Sequence, residues 1–139
     1  MLIWKSFDFH FRMDEPPLVH GIMISDQTYI SDKKIIHELE QKGYGEIEKE
    51  QLFLKQFETL YLLYSKKLIL KKGKKQIDFD SFMTICQKTN SDILTQFLIY
   101  RDLRNRGYVV KDGFGFGSDF RVYERGHFGE KGAKFLIFG

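Results

Sequence analysis

Cysteine is nearly missing from this chain. Cys86 is the single thiol in 139 residues, which excludes an internal disulfide and argues against a zinc site built on cysteines. Proline occurs only as Pro16-Pro17, where it marks a turn. Long apolar runs are absent as well: short apolar stretches are broken by Lys, Asp and Glu, and none nears the roughly 20 residues of a membrane-spanning helix. The N-terminus, Met1-Leu2-Ile3-Trp4-Lys5-Ser6-Phe7-Asp8, has neither a basic segment leading into a long apolar core nor a small-residue cleavage site. The expectation is a soluble, cytoplasmic protein with no contact with a membrane. No internal repeat or low-complexity tract is evident.

What is present is enough for one sizeable core, or two small ones sharing a face: 42% hydrophobic and 16% aromatic residues. The net charge of +3 conceals an asymmetry. Residues 1 to 60 carry 7 positive and 11 negative side chains, whereas residues 61 to 139 carry 15 and 8. A basic half is what a phosphate-contacting surface requires, because Lys and Arg gain affinity by displacing condensed counterions. Lysine-rich solvated faces share that composition.

Along the chain, Trp4, Phe7, Phe9 and Phe11 alternate with polar residues up to the prolines, and the pattern resumes at Val19 to Ile24, predicting paired strands around a proline-broken turn. Ser31 or Asp32 caps a first helix carrying Ile35, Ile36 and Leu39, stopped by Gly43. A short extended piece through Leu52 to Leu54 precedes a second helical face of Phe57, Leu60, Tyr61 and Tyr64. Lys66 to Lys75 reads as a basic hairpin turning near Gly73. Asp78 or Asp80 caps a third helix with Phe79, Phe82, Met83 and Cys86 inward. Asn90, Ser91 or Asp92 caps the longest helix, whose apolar stripe is Ile93, Leu94, Phe97, Leu98 and Leu103 and whose end is Gly107. From Tyr108 the rhythm is that of short strands, at Tyr108 to Lys111, Asp119 to Glu124 and Lys134 to Phe138. The predicted class is α+β: a small N-terminal α+β domain over residues 1–89, then a C-terminal domain over 90–139.

Several features point to chemistry only weakly. Gly113-Phe114-Gly115-Phe116-Gly117 lacks the ending of a phosphate-cradling loop and leads into a strand, so it reads as a connector whose phenylalanines pack inward. His10, His20, His37 and His127 show no metal-ligand spacing, so no metal or other cofactor is expected. His37 reads as a surface or core-edge residue, and His127, in a glycine-rich loop four residues after Tyr123, could reach a substrate. Arg101, Arg104 and Arg106 lie on or beside the long helix. On a face shared with Arg121 and Arg125 they would form a phosphate-binding stripe; on a solvated face they would pair weakly.

Residues 100 to 126, Tyr100-Arg101-Asp102-Leu103-Arg104-Asn105-Arg106-Gly107-Tyr108-Val109-Val110-Lys111 followed by Gly113-Phe114-Gly115-Phe116-Gly117-Ser118-Asp119-Phe120-Arg121-Val122-Tyr123-Glu124-Arg125-Gly126, resemble the archaeal tRNA-intron (splicing) endonuclease family. Its pattern there is close to YRDLRxRGYVVKxGFKFGxDFRVYERG. Glu40-Gln41-Lys42-Gly43-Tyr44-Gly45 and Phe57-Glu58-Thr59-Leu60-Tyr61-Leu62-Leu63 resemble its N-terminal domain. The likeness implies a small α+β domain joined to a nuclease-like α/β domain, and subunits that assemble as homodimers, homotetramers or heterotetramers. It also implies metal-independent cleavage of precursor tRNA at a bulge-helix-bulge. In that reaction a ribose 2′-OH attacks the adjacent phosphate and leaves a 2′,3′-cyclic phosphate and a 5′-OH. A Tyr, a His and a Lys serve the family in that step.

Carried over residue by residue, Tyr123 matches the catalytic tyrosine. The family's histidine opens a segment like HSKYLV; the best local match, Gly132-Ala133-Lys134-Phe135-Leu136-Ile137, places Gly132 there, and glycine transfers no proton. The lysine belongs to a region beyond Gly139, so the C-terminal domain stops short of the family pattern and leaves Phe135 to Phe138 as an uncovered strand open to pairing. Either a partner completes the sheet or the native chain is longer. The resulting expectation is a structural-type subunit that positions precursor tRNA and a catalytic splicing-endonuclease subunit, in a heterotetramer or other oligomer. The competing readings are a catalytic subunit using Tyr123 with His127 as a relocated acid, and an RNA-binding or assembly module without nuclease function. RNA contacts are expected from Arg101, Arg104, Arg121, Arg125 and the Lys66 to Lys75 segment.

Overall fold

The computed structural model describes residues 16–112 and 120–124 and the backbone of 135–137. β1 (Val19–Ile24) and β2 (Gln27–Ile30) form a hairpin that turns at Ser25, whose φ is +60°. α1 (Lys33–Gln41) begins where Asp32 Oδ1 accepts the Lys34 and Ile35 amides at 3.0 and 3.3 Å. It ends in a left-handed cap: Gly43 has φ +82°, and the Gly43 and Tyr44 amides donate back to the Glu40 and Leu39 carbonyls at 3.0 and 2.8 Å. Ile36 and Leu39 are its buried residues.

β3 (Glu46–Glu48) and β4 (Gln51–Leu54) make a second hairpin, and α2 (Gln56–Tyr64) buries Phe57, Leu60 and Leu62. β5 (Leu68–Lys72) and β6 (Lys75–Ile77) follow, then α3 (Phe79–Gln87), capped by Asp78 accepting the Ser81 amide at 2.8 Å. These strands form a six-stranded sheet in the order β3-β4-β2-β1-β5-β6, with β1 and β5 parallel and the other pairs antiparallel. Along β1, Val19, Gly21 and Met23 are buried and His20, Ile22 and Ile24 exposed, so one face of the sheet carries the core.

α4 (Ile93–Asn105) leads into an antiparallel sheet of β7 (Val109–Asp112), β8 (Phe120–Tyr123) and β9 (Phe135–Ile137). Phe57 of α2, Tyr100 of α4 and Phe120 of β8 meet with ring centroids 4.9 to 6.1 Å apart, and one hydrophobic cluster runs from Val19 through Leu60 and Tyr100 to Val122. The two sheets therefore share a core.

The structure corrects several expectations. β2 adds a strand beyond the expected pattern, because Gln27 to Ile30 is too short to display an alternation of its own. The extended piece at Leu52 to Leu54 is one arm of a hairpin whose other arm, β3, is polar and exposed. On α4, Leu94 and Leu98 are 46% and 41% exposed, so the buried stripe excludes them; Ile93, Phe97, Tyr100 and Leu103 face inward. The start of α4 has no side-chain cap from Asp92; Asn90 Oδ1 instead accepts the Asp92 amide at 3.1 Å. The strand proposed within residues 1 to 15 and the 113–117 connector lie outside the described residues.

Candidate functional site

The tightest polar construction joins the N-terminal elements to α4 and β7, and it is centred on Gly43-Tyr44-Gly45. Gly43 is held at positive φ, and a Cβ there would run into Val109 Cγ1. Arg104, one turn beyond Tyr100 on α4, closes over this turn. Its Nη1 and Nη2 donate to the Lys42 and Gly43 carbonyls at 2.9 and 3.0 Å, and its Nε donates to the Tyr100 hydroxyl at 3.1 Å. The guanidinium carbon stands 3.9 Å from the Tyr44 ring centroid, so the planar cation is stacked as well as hydrogen-bonded. Lys111 Nζ, from β7, donates to the Gly45 carbonyl at 2.7 Å.

Glu58 completes the joint from α2. It is 1% exposed; Oε2 accepts the Gly45 amide at 2.7 Å and Oε1 accepts the Lys55 amide at 2.8 Å, where it also satisfies the helix start. Burial raises its carboxyl above the usual range, opposed by the Lys111 charge, the two amides and Arg104. Burial likewise lowers Lys111, with Glu58 opposing, and pushes the Tyr44 phenol up to about 12.

Tyr123 lies on the far strand of the same region. Val109 pairs with Tyr123 and Lys111 with Arg121, so these four side chains share one face of the small sheet, whereas Val110, Phe120 and Val122 face the core. Tyr123 is half-buried, and Arg121 Nη1 donates to its hydroxyl at 3.4 Å while Arg121 Nε donates to the Asp112 carbonyl. An arginine on the phenol oxygen orients the ring and presents positive charge beside it. Asp112 in turn pairs with Lys55 at 3.1 Å. His20 and His37 belong to β1 and α1, in the other half of the molecule; His10 and His127 lie outside the described residues.

The arginines expected to form one stripe are distributed. Arg101 rests on the Tyr64 and Phe97 rings, 5.4 and 5.8 Å from their centroids. Arg104 is committed to the joint, with each of its three nitrogens donating to a protein oxygen. Arg121 is beside Tyr123, and Arg125 lies outside the described residues. Among the described residues, no group of three His, Cys, Asp or Glu side chains is placed to hold a metal ion, and no helix is long and apolar enough to cross a membrane. A cleft of about 330 Å³ lined by Asp26, Gln56, Asn90, Gln96, Asp112 and Phe120 abuts the Lys55–Asp112 pair and does not include Tyr123.

Comparison with known proteins resolves what this arrangement belongs to. The N-terminal domain of tRNA intron endonuclease matches residues 19–83, and the catalytic C-terminal domain of tRNA intron endonuclease matches residues 93–139. The tRNA-splicing endonuclease of Methanococcus maripaludis is 36% identical over 127 residues, covering 90% of this chain and 72% of that protein. Those of Pyrococcus furiosus and Thermococcus onnurineus are each 36% identical, over 78% and 82% of this chain and 65% and 66% of their own lengths. This chain belongs to the tRNA intron endonuclease family.

Within that family frame, the stretches Glu40 to Gly45 and Tyr100 to Lys111, separated by 54 residues in sequence, are the two sides of one joint. Sequence reading missed Glu58, Lys111 and Tyr44 as members of it. One signal was available: Glu58 is the one charged residue of α2, set among Phe57, Leu60 and Leu62, and a carboxylate there requires buried donors.

Proposed function

We propose that this chain is a subunit of a tRNA-splicing endonuclease acting on precursor tRNA, and that it serves as the structural-type subunit. The observation that carries the first part is the match of both endonuclease domains to the two halves of one continuous core. The chemistry inferred for the assembly is attack of a ribose 2′-OH on the adjacent phosphate, giving a 2′,3′-cyclic phosphate and a 5′-OH. That step calls for a proton acceptor, a proton donor to the leaving oxygen and a cation to stabilise the extra charge.

The subunit role rests on the surroundings of the tyrosine. By the resemblance of its sequence, Tyr123 takes the role of the family's tyrosine, with Arg121 on its hydroxyl, and Gly132 falls where the family's histidine is expected. Lys111 and Arg104, the nearby cations from β7 and α4, have donors taken up by the 42–45 turn. A tyrosine without its acid retains little of a coupled proton transfer, since one such group contributes roughly 10² to 10⁴ in rate. The catalytic partner subunit is inferred to supply the complete set, and this chain the scaffold that holds partner and RNA. Incubating the purified chain with intron-containing precursor tRNA, alone and mixed with a catalytic family subunit from the same organism, tests the reading. Cleavage is expected only in the mixture; efficient cleavage by the chain alone overturns the structural role and favours His127 as a relocated acid.

A further inference from the structure

The β5–β6 hairpin carries a charge arrangement that folding alone does not explain. Between Glu58 and Asp78 the sequence contains no acidic residue and six lysines, Lys66, Lys67, Lys71, Lys72, Lys74 and Lys75. Four of them crowd the tip, and all four are exposed. Lys72 and Lys75 are directly opposed across the two strands, an arrangement in which like charges destabilise a hairpin. The turn between them is Gly73-Lys74, and a Cβ on Gly73 would meet nothing within 4 Å, so the tip projects into solvent.

Neighbouring elements offer little counter-charge. The strand beside β5 is β1, which places His20 and Ile22 opposite Ile69 and Lys71 and has no carboxylate. Among the described residues no ion pair engages Lys71, Lys72 or Lys74, and the nearest acid in sequence, Asp78, feels the charge of Lys75. Lysines do guard exposed sheet edges. That explanation reaches Lys75 on the edge strand β6, and it leaves out Lys71 and Lys72, which sit on the inner strand β5.

Self-repulsion of this kind is relieved by a polyanion, whose phosphates replace the missing carboxylates and release their own counterions. Resting on the proposed precursor-tRNA substrate, we infer that the β5–β6 hairpin is an RNA-backbone contact: Lys71, Lys72, Lys74 and Lys75 engage phosphates of the precursor tRNA at a place separate from the Tyr123 strand. Lysine ammoniums on flexible stems read charge and not sequence, so the contact anchors the RNA without selecting the splice site.

The test compares the wild-type assembly, formed with its catalytic partner, with one in which Lys71, Lys72, Lys74 and Lys75 are all changed to Gln. Binding of uncleavable precursor tRNA is measured across a range of salt. The slope of log affinity against log salt is expected to become shallower by roughly 3, at about 0.7 to 0.9 per lost phosphate contact. Lys72→Glu alone, by removing the like-charge pair with Lys75, is expected to raise the Tm of the chain while weakening RNA binding. An unchanged salt slope in the fourfold variant, with wild-type binding intact, overturns the hairpin contact and leaves the substrate reading standing. A wild-type assembly that fails to bind precursor tRNA at any salt overturns the substrate reading, and the hairpin assignment with it. A fall in Tm for Lys72→Glu with RNA binding unchanged makes the lysines structural and overturns the inference. Loss of binding to phosphatidylserine vesicles with RNA binding unchanged does so by assigning the hairpin to anionic membranes.

Discussion

Arg104 shows how far a side chain's chemistry depends on what the chain folds against it. As one of several arginines near the end of a helix it has the composition of a phosphate ligand, yet its fork is filled by the Lys42 and Gly43 carbonyls and its plane by Tyr44. Arg104→Ala is expected to destabilise the fold by about 3 kcal/mol, because two carbonyls lose a charged donor in a sheltered place. RNA affinity of the folded fraction should be unchanged; denaturation and binding measured on the same variant separate the two effects. Glu58 adds a pH signature. With its folded value raised by burial, its contribution to stability is complete below the ordinary carboxylate range and is lost as pH rises through the raised value. Glu58→Gln, an isostere of the protonated acid that does not titrate, should lie within about 1 kcal/mol of wild type in acid and gain on it as pH rises through the raised value, read in urea titrations across pH. The sequence shows Glu58 and Arg104 as charged residues; their pairing with backbone groups 13 and 61 residues away is set only by the tertiary fold.

At the scale of elements, signals that are local and redundant were legible. α1 was marked at both ends by Asp32 and Gly43, α3 by Asp78, and the β5–β6 hairpin by Gly73. What was not legible depended on neighbours: β2 is a strand because β1 and β4 flank it, and Leu94 and Leu98 continue an apolar pattern on α4 that nothing among the described residues covers. α2 ends without its expected punctuation. Lys66 adopts φ +60° at its C-terminus, and the Lys67 amide returns to the Leu62 carbonyl at 2.9 Å, the same closure that glycine provides at Gly43 and Gly107. Left-handed backbone costs a residue with a Cβ about 1 to 2 kcal/mol, while the freedom of glycine in the unfolded chain returns about 0.4 to 1. Lys66→Gly is therefore expected to stabilise the protein by roughly 0.5 to 1 kcal/mol, read as a higher urea midpoint at constant m-value.

On the scale of the whole molecule, one core spans both sheets, with Phe57, Tyr100 and Phe120 in mutual contact. A shared core predicts a single cooperative unfolding transition, and Cys86 offers a probe of it. The thiol is fully buried, and burial pushes it up to about 12, so it should react with thiol reagents at pH 8 only as fast as the whole molecule opens. Labelling that tracks global unfolding across a denaturant series supports the shared core; fast labelling in native buffer contradicts it.

Under the proposed structural role, this member of the tRNA intron endonuclease family holds RNA and partner while another subunit performs the cleavage. The most direct measurement is single-turnover cleavage of precursor tRNA by the mixed assembly, with this chain carrying Tyr123→Phe. The rate is expected to be indistinguishable from that of the unmodified assembly. A fall of about a hundredfold or more would make Tyr123 a proton-transfer group of the reaction and contradict the structural role.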